Sequence, residues 1–323
     1  MQKSILVLGA NGFIGSRVVA ALGATGWATP ILGVRRPRQL TGLNYEQRSV
    51  EATNVESIAA ALQDVAGVVN CVAADPQSMV AAARALFEAA ARSAPSKHIV
   101  HLSTMSVYGS AEGRLDESAP LRADLGPYSE SKVAAEAIAA KYPSVTIFRP
   151  GCVFGPHSEQ WTNRFARLLI SRRLGDLGAA GDGCCNLVHV DDVATAVVRA
   201  LETPQQRVRT YNLSTNEQPT WNEYLVRFAT ALRAVPVRRL TSRRLKIEGK
   251  LLAPPLKIAE ILGRRIKLDP HRLPPPIPPS LIRLMGQDIR LQTQRVEAEL
   301  GQRWQNLQTS LEETARWYLA NPS

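Results

Sequence analysis

An apolar run from Ser4 to Leu8 passes directly into Gly9-Ala10-Asn11-Gly12-Phe13-Ile14-Gly15, and then into a helical pattern carried by Val18, Val19 and Leu22. No other feature restricts the fold of this chain as strongly. Ser-Ile-Leu-Val-Leu shows no polar alternation, so it reads as a strand covered on both faces. Three glycines at this spacing permit a sharp turn, close approach of the backbone to a pyrophosphate, and tight packing of helix on strand. The helix N-terminus then faces the phosphates. The motif is weak in isolation, but at the first strand-to-helix turn of a chain it signals nucleotide binding.

The pattern continues. Pro30 to Val34 reads as a second strand, Ser57 to Leu62 as a helix, and Val68 to Ala73 as a buried strand. Pro76 to Ala94 reads as an alanine-rich helix, and His98 to Leu102 as a further strand. Strands alternating with helices imply a doubly wound parallel sheet. An acidic residue about 20 positions past the glycines holds the ribose hydroxyls in NAD-preferring sites. Here that place holds Arg35, followed by Arg36. Two guanidinium groups suit a 2′-phosphate, which favours NADP while leaving NAD as the alternative. Glu51 ends the next extended stretch, where it could accept a hydrogen bond from the adenine amino group.

Tyr128 and Lys132 stand four residues apart in a segment opened by Pro127 and continued by alanines to Ala140. That spacing puts phenol and ammonium on one helix face. A phenol with a pKa near 10 needs roughly 4 kcal/mol of phenolate stabilisation to work at neutral pH, and a neighbouring ammonium in a partly dry cleft can supply much of it. Ser103, Thr104 and Ser106 follow the strand 98–102, at the end of the sheet where ligands bind. One of these hydroxyls could polarise a substrate carbonyl while others cap the turn.

Cys71, Cys152, Cys184 and Cys185 form neither a CxxC motif nor a secreted disulfide framework, so reduced thiols are expected. The five histidines add no metal-ligand spacing, and no metal is expected. No signal-peptide pattern precedes the first strand, which points to a cytoplasmic protein. The net charge is +11, and residues 236–295 hold fourteen Lys and Arg against four acids, nearly the whole excess. This basic segment also carries Leu, Ile and many prolines, which should break it into short helices and extended turns. It reads either as a solvated rim of the substrate lobe or as an element touching an anionic membrane surface, peripheral at its inner face. Without interleaved aromatics it is not expected to bind nucleic acid.

The combination resembles the extended short-chain dehydrogenase/reductases, the NAD-dependent epimerase/dehydratase family. The similarity rests on Gly9-x-x-Gly12-x-x-Gly15, Ser-Thr-x-x-Val-Tyr-Gly at 103–109, Tyr128-x-x-x-Lys132, Arg149-Pro150-Gly151-x-Val-Phe-Gly-Pro156, and Val188-His189-Val190-Asp191-Asp192-Val193-Ala194. It implies a Rossmann-type domain over 1–156 plus about 186–215. A smaller, discontinuous substrate-binding lobe would comprise about 157–185 plus 216–323. Thr104, Tyr128 and Lys132 would be catalytic. The cofactor-binding set would be Gly9, Asn11, Gly12, Phe13, Ile14, Gly15, Arg35, Arg36, Glu51, Ala73, Tyr128, Lys132, Pro150 and Val153. One of Asp191 and Asp192 is expected to cap the helix that follows. Helices 76–94 and 128–141 would be the interface of a homodimer, by analogy with relatives.

Three departures bear on substrate. Met105 and Ser106 replace the Asp-Glu pair of the sugar dehydratases, which disfavours dehydration. Cys152 replaces an asparagine that helps hold diphosphate sugars. Cys184, Cys185 and Asn186 occupy the region where an arginine often grips the diphosphate, leaving Arg164, Arg167, Arg172 or Arg173 to do so from a shifted loop. A thiol cannot replace a guanidinium on phosphate. The expectation is therefore an NADPH-dependent reductase of an apolar or lipid-like ketone, with a nucleotide-sugar epimerase or dehydrogenase as the alternative.

Overall fold

The computed structural model describes residues 2–37, 45–93, 96–203, 207–265 and 275–321. The strands are β1 (Lys3–Leu8), β2 (Ala28–Val34), β3 (Gln47–Ser49), β4 (Gly67–Asn70), β5 (His98–Leu102), β6 (Gly113–Leu115), β7 (Val145–Pro150), β8 (Cys152–Phe154), β9 (Leu187–His189), β10 (Arg209–Leu213) and β11 (Ile289–Leu291). The helices are α1 (Phe13–Gly23), α2 (Val55–Ala61), α3 (Pro76–Ala91), α4 (Pro127–Ala139), α5 (Arg164–Ile170), α6 (Val190–Glu202), α7 (Trp221–Ala231), α8 (Ser242–Ile247), α9 (Ala253–Arg265), α10 (Pro279–Gly286), α11 (Gln294–Leu300) and α12 (Leu307–Ala320).

Seven parallel strands form one sheet in the order β10-β7-β5-β4-β1-β2-β3. β1 lies inside it and shows why its sequence has no polar alternation. Ile5 and Val7 enter the core beneath α1 and α6, while Leu6 and Leu8 enter the core beneath α2, α3 and α4. Each strand side chain faces the layer opposite to its neighbour's, so both faces must be apolar. The chain reverses direction across the sheet between β1 and β4, and this switch point opens the crevice at their carboxyl ends.

A separate core gathers Phe165, Leu168, Trp221, Tyr224, Phe228, Leu281, Leu311 and Tyr318 from α5, α7, α10 and α12. The two-stranded pairs β8-β9 and β11-β6 lie outside the main sheet. Asn186 ties these pieces together, donating to the Ile289 carbonyl at 2.6 Å and accepting from the Leu291 N–H at 3.0 Å.

Several elements differ from the sequence reading. The fourth strand stops at Asn70 rather than Ala73, because the Asn70 side chain accepts the Val72 N–H at 3.2 Å and turns the chain. The prolines at 254 and 255 do not break the basic segment. They are the second and third residues of α9, directly after a π-helical stretch, Glu248–Leu252, that joins α8 to α9 without interruption and changes the bonding register there. Residues 266–274 of that segment lie outside the described residues.

Neither aspartate caps α6. The cap is His189, whose Nδ1 accepts the Asp191 N–H at 3.4 Å. Asp191 instead makes a two-pronged ion pair with Arg17 of α1, both contacts at 2.6 Å. Asp192 is buried, accepts the Gln305 N–H at 3.4 Å, and has its pKa pushed up to about 6 by burial.

This aspartate gives the fold a pH dependence of unusual sign. Its folded-state pKa lies above its unfolded value, so the native state holds more protons between about pH 4 and pH 6 and stability falls as pH rises through that window. Above it the penalty is about 3 kcal/mol. Asp192→Asn should therefore raise the urea midpoint at neutral pH and leave it unchanged near pH 4. A variant that loses stability at neutral pH contradicts this account.

Candidate active site

The expected site residues collect along the carboxyl edge of the sheet. Gly9 to Gly15 follow β1, Arg35 and Arg36 follow β2, Glu51 lies just beyond β3, Ala73 beyond β4, Thr104 beyond β5, and Pro150 ends β7. Asn11, Arg35, Arg36, Glu51 and Ala73 are exposed there, and Phe13 and Ile14 pack partly into the core under α1. Val153 follows Pro150 by three residues, in β8, and its side chain is buried in the core.

The glycine turn fits a dinucleotide. Gly9 adopts φ +76°, and a Cβ there would come within 2.8 Å of the Cys71 carbonyl oxygen. A Cβ on Gly15 would overlap the Gly9 carbonyl, so helix and strand approach only because both residues are glycine. Gly12 caps α1 without a side chain, and no acid stands in the first turn. The positive end of the helix is thus left for an anion.

Gly126, at φ +86°, and Pro127 start α4. The Ser129 hydroxyl donates to the Ser106 carbonyl at 2.8 Å, fastening this end of the helix to the short 3-10 turn Met105–Tyr108. Thr104 opens that turn, accepting the Ser106 N–H at 3.3 Å, and its hydroxyl is near enough to the Tyr128 phenol to act on its pKa, lowering it. Tyr128 remains 50% exposed, open to a substrate. Lys132 is buried one turn further on and donates from Nζ to the Leu102 carbonyl at 3.1 Å.

The three hydroxyls after β5 therefore divide their tasks. Thr104 stands near the tyrosine phenol. Ser103 donates to Glu136 Oε2 at 2.6 Å and is occupied by structure. Ser106 Oγ is buried without a protein partner.

The electrostatics differ from the expectation that Lys132 draws the tyrosine down. Desolvation holds the Tyr128 phenol above its ordinary value, and the nearby Thr104 hydroxyl works against this. Burial lowers the Lys132 pKa, while Cys71 and Glu136 work the other way. The lysine's field acts on two groups of the cleft floor. Desolvation pushes the thiol of the half-buried Cys71 up to about 12 despite it, and the buried His101 is held neutral, its pKa lowered to about 3 by burial and then this field.

Beneath the site lies a network that the sequence reading missed. Arg149 donates from Nε to Glu136 Oε1 at 2.9 Å and makes a second, shorter contact from Nη2 to the same oxygen. Its Nη1 reaches the Tyr108 hydroxyl at 2.9 Å and the Glu117 carbonyl at 3.1 Å. Tyr108 donates onward to Asn212 Oδ1 of β10 at 2.6 Å. The one available signal was Tyr128, Lys132 and Glu136 recurring every fourth residue on α4.

Of the four arginines considered for a diphosphate grip, Arg172 is exposed and the other three serve elsewhere. Arg164 donates to the Pro276 carbonyl at 2.5 Å, Arg167 pairs with Glu159 at 3.0 Å, and Arg173 pairs with Glu248 at 2.5 Å. The guanidinium whose field reaches Cys184 is Arg290, carried there by β11.

A glycine-lined crevice at the switch point of a parallel sheet, with a tyrosine and a threonine at its rim and a buried lysine one turn below, defines a nicotinamide-dinucleotide enzyme of the short-chain dehydrogenase/reductase type. The sequence matches the NAD dependent epimerase/dehydratase family over residues 5–214, and the chain belongs to that family. No curated protein sequence matches it.

Solved structures similar in fold include MoeE5 in complex with UDP-glucose and NAD (21% identity, 99% of this chain and 100% of that one, TM-score 0.71). Another is UDP-N-acetylglucosamine 4-epimerase from Bacillus cereus (20%, 98% and 99%, 0.72). A third is dTDP-glucose 4,6-dehydratase from Bacillus anthracis in complex with NAD (23%, 99% and 97%, 0.73). Among the described residues no group of His, Cys, Asp and Glu could hold a metal ion.

The buried pair yields a clear expectation. Glu136→Leu or Arg149→Met alone should cost about 3–5 kcal/mol, because each strands a charge in the interior. The double variant should cost much less than the two together, as measured by urea unfolding. Strict additivity would show that the two groups do not act as a pair.

Proposed function

We propose that the protein catalyses reversible hydride transfer at a carbinol or carbonyl carbon of a nucleotide-diphosphate-linked sugar, as an epimerase or dehydrogenase. The observation that carries this reading is the half-exposed Tyr128, with Thr104 near its phenol and the buried Lys132 one helical turn away. When bound, the nicotinamide supplies or accepts the hydride.

Tyr128 exchanges the proton of the reacting hydroxyl. With its pKa held high, the phenol stays protonated and is ready to donate in the reductive direction. Thr104 orients the same oxygen. Lys132 spends one donor on Leu102, leaving two N–H groups for the hydroxyls of the nicotinamide ribose. Neither Met105 nor Ser106 offers the carboxylates that water elimination would need.

A sugar nucleotide is favoured over the apolar ketone because solved structures of similar fold include one bound to UDP-glucose and a UDP-N-acetylglucosamine 4-epimerase. The missing diphosphate grip, which had motivated the ketone, has a candidate in Arg290, whose field reaches Cys184 and which a diphosphate would have to draw from its 3.0 Å pair with Asp288. The cofactor in this reading is NADP, with the exposed Arg35 and Arg36 on its 2′-phosphate.

Purified protein incubated with UDP-glucose or UDP-N-acetylglucosamine should form an epimer detectable by NMR, or reduce added nicotinamide detectable by absorbance. Thr104→Val and Tyr128→Phe should each lower turnover by about 10²–10⁴-fold while sparing cofactor binding. Turnover of neither sugar nucleotide, with turnover of an apolar ketone, would overturn the substrate reading.

Replacing Arg35 and Arg36 by alanine should weaken NADPH binding about tenfold or more and leave NADH unchanged. Equal loss for both cofactors would remove the 2′-phosphate role.

A further inference from the structure

The uninterrupted helical run through α8, the π-helical stretch 248–252 and α9 presents two different sides. On one side Leu245, Glu248, Gly249 and Ala253 are buried against the substrate lobe. Glu248 receives Arg173 there at 2.5 Å, and the absent Cβ of Gly249 leaves room for Ile282. These contacts hold the run in place.

The other side is apolar and faces solvent. Ile247 is 41% exposed, Leu251 67%, Ile258 58% and Leu262 53%. They recur at helical spacing with the exposed Pro254 and Pro255 between them, and Leu252 adds to the patch. Five of the eleven exposed large hydrophobic residues among the described ones fall in this short stretch. Singly exposed apolar residues need no explanation, but a row of them on one anchored helix does.

Exposed Arg243, Lys250 and Lys257 flank the row. Residues 236–262 contain seven Lys and Arg against two Glu, and one of those acids, Glu248, is buried with Arg173. Among the described residues no helix is long and apolar enough to cross a membrane. An apolar stripe edged by cations, on a helix that does not span, is the arrangement of an element lying in the plane of a lipid interface. A second copy of the same helix would bring like charges together, whereas phosphate headgroups complement them.

We propose that this run docks the enzyme on an anionic phospholipid surface. Ile247, Leu251, Ile258 and Leu262 enter the acyl boundary, and Arg243, Lys250 and Lys257 meet the headgroups. The docking is independent of the sugar-nucleotide reading, because it uses no residue of the cleft.

The full-length protein should sediment with mixed phosphatidylglycerol/phosphatidylcholine vesicles at low salt, bind phosphatidylcholine vesicles far less, and be released as salt rises. Leu251→Glu with Ile258→Glu should lower the partition coefficient at least about tenfold. Both side chains are exposed, so circular dichroism and NADPH affinity should stay as in the parent. Lys250→Glu with Lys257→Glu should weaken binding and flatten its salt dependence.

Three results would each overturn the proposal. One is absence of vesicle binding by the parent protein at low salt. Another is equal binding by the Leu251→Glu, Ile258→Glu variant. The third is a parent oligomer that this variant dissolves, with no lipid binding by either.

Discussion

The ion pair between Arg149 and Glu136 is the contact on which the geometry of the cleft depends. Two charges in the interior are costly unless their remaining hydrogen-bonding capacity is filled. Here Arg149 serves Glu136, Tyr108 and the Glu117 carbonyl, and the second Glu136 oxygen takes the Ser103 hydroxyl. The Arg149 guanidinium also lies 5.0 Å from the Tyr108 ring centroid. The partners belong to β7, α4, the end of β5 and the turn after it. Rotation of α4 would have to break several of these bonds at once, so Tyr128, two turns away from Glu136, is held over Thr104.

This arrangement also sets the electrical character of the cleft. A buried ammonium stands one turn from a buried carboxylate that is itself neutralised by a guanidinium. The lysine keeps its field on the floor, where His101 is neutral and the Cys71 thiol protonated. The phenol at the rim is governed chiefly by desolvation and by its threonine partner. Proton exchange and cofactor orientation thus fall to different side chains on one helix face, each tuned by its own depth.

The sheet, the glycine turn and the tyrosine-lysine helix were legible because they depend on local pattern. β1 needs both faces apolar, Gly9 needs positive φ, and Pro127 suits a first turn. What escaped the sequence depends on distant partners. Nothing near Arg149 announces Glu136 or Asn212, and nothing near Cys184 announces Arg290. Asp191 lies 174 residues from the Arg17 it binds, so its place near a helix start suggested a cap instead. The two prolines of α9 misled for another reason. Their effect depends on position within the helix, and a π-helical turn set that position.

The sheet order carries a consequence for synthesis on the ribosome. β1 is flanked by β2 and β4, so the nucleotide half can begin to pair early, while β10 must reach back to β7 across the whole region of β8, β9 and α6. Asn212, which receives the Tyr108 hydroxyl, arrives on that last strand of the main sheet. Until it emerges, the polar cluster beneath the cleft has an unfilled position, and the aromatic core around Trp221 still waits for α12. Parallel strands joined over such separations assemble slowly. A nascent chain can therefore hold a formed dinucleotide turn well before it holds a finished catalytic edge.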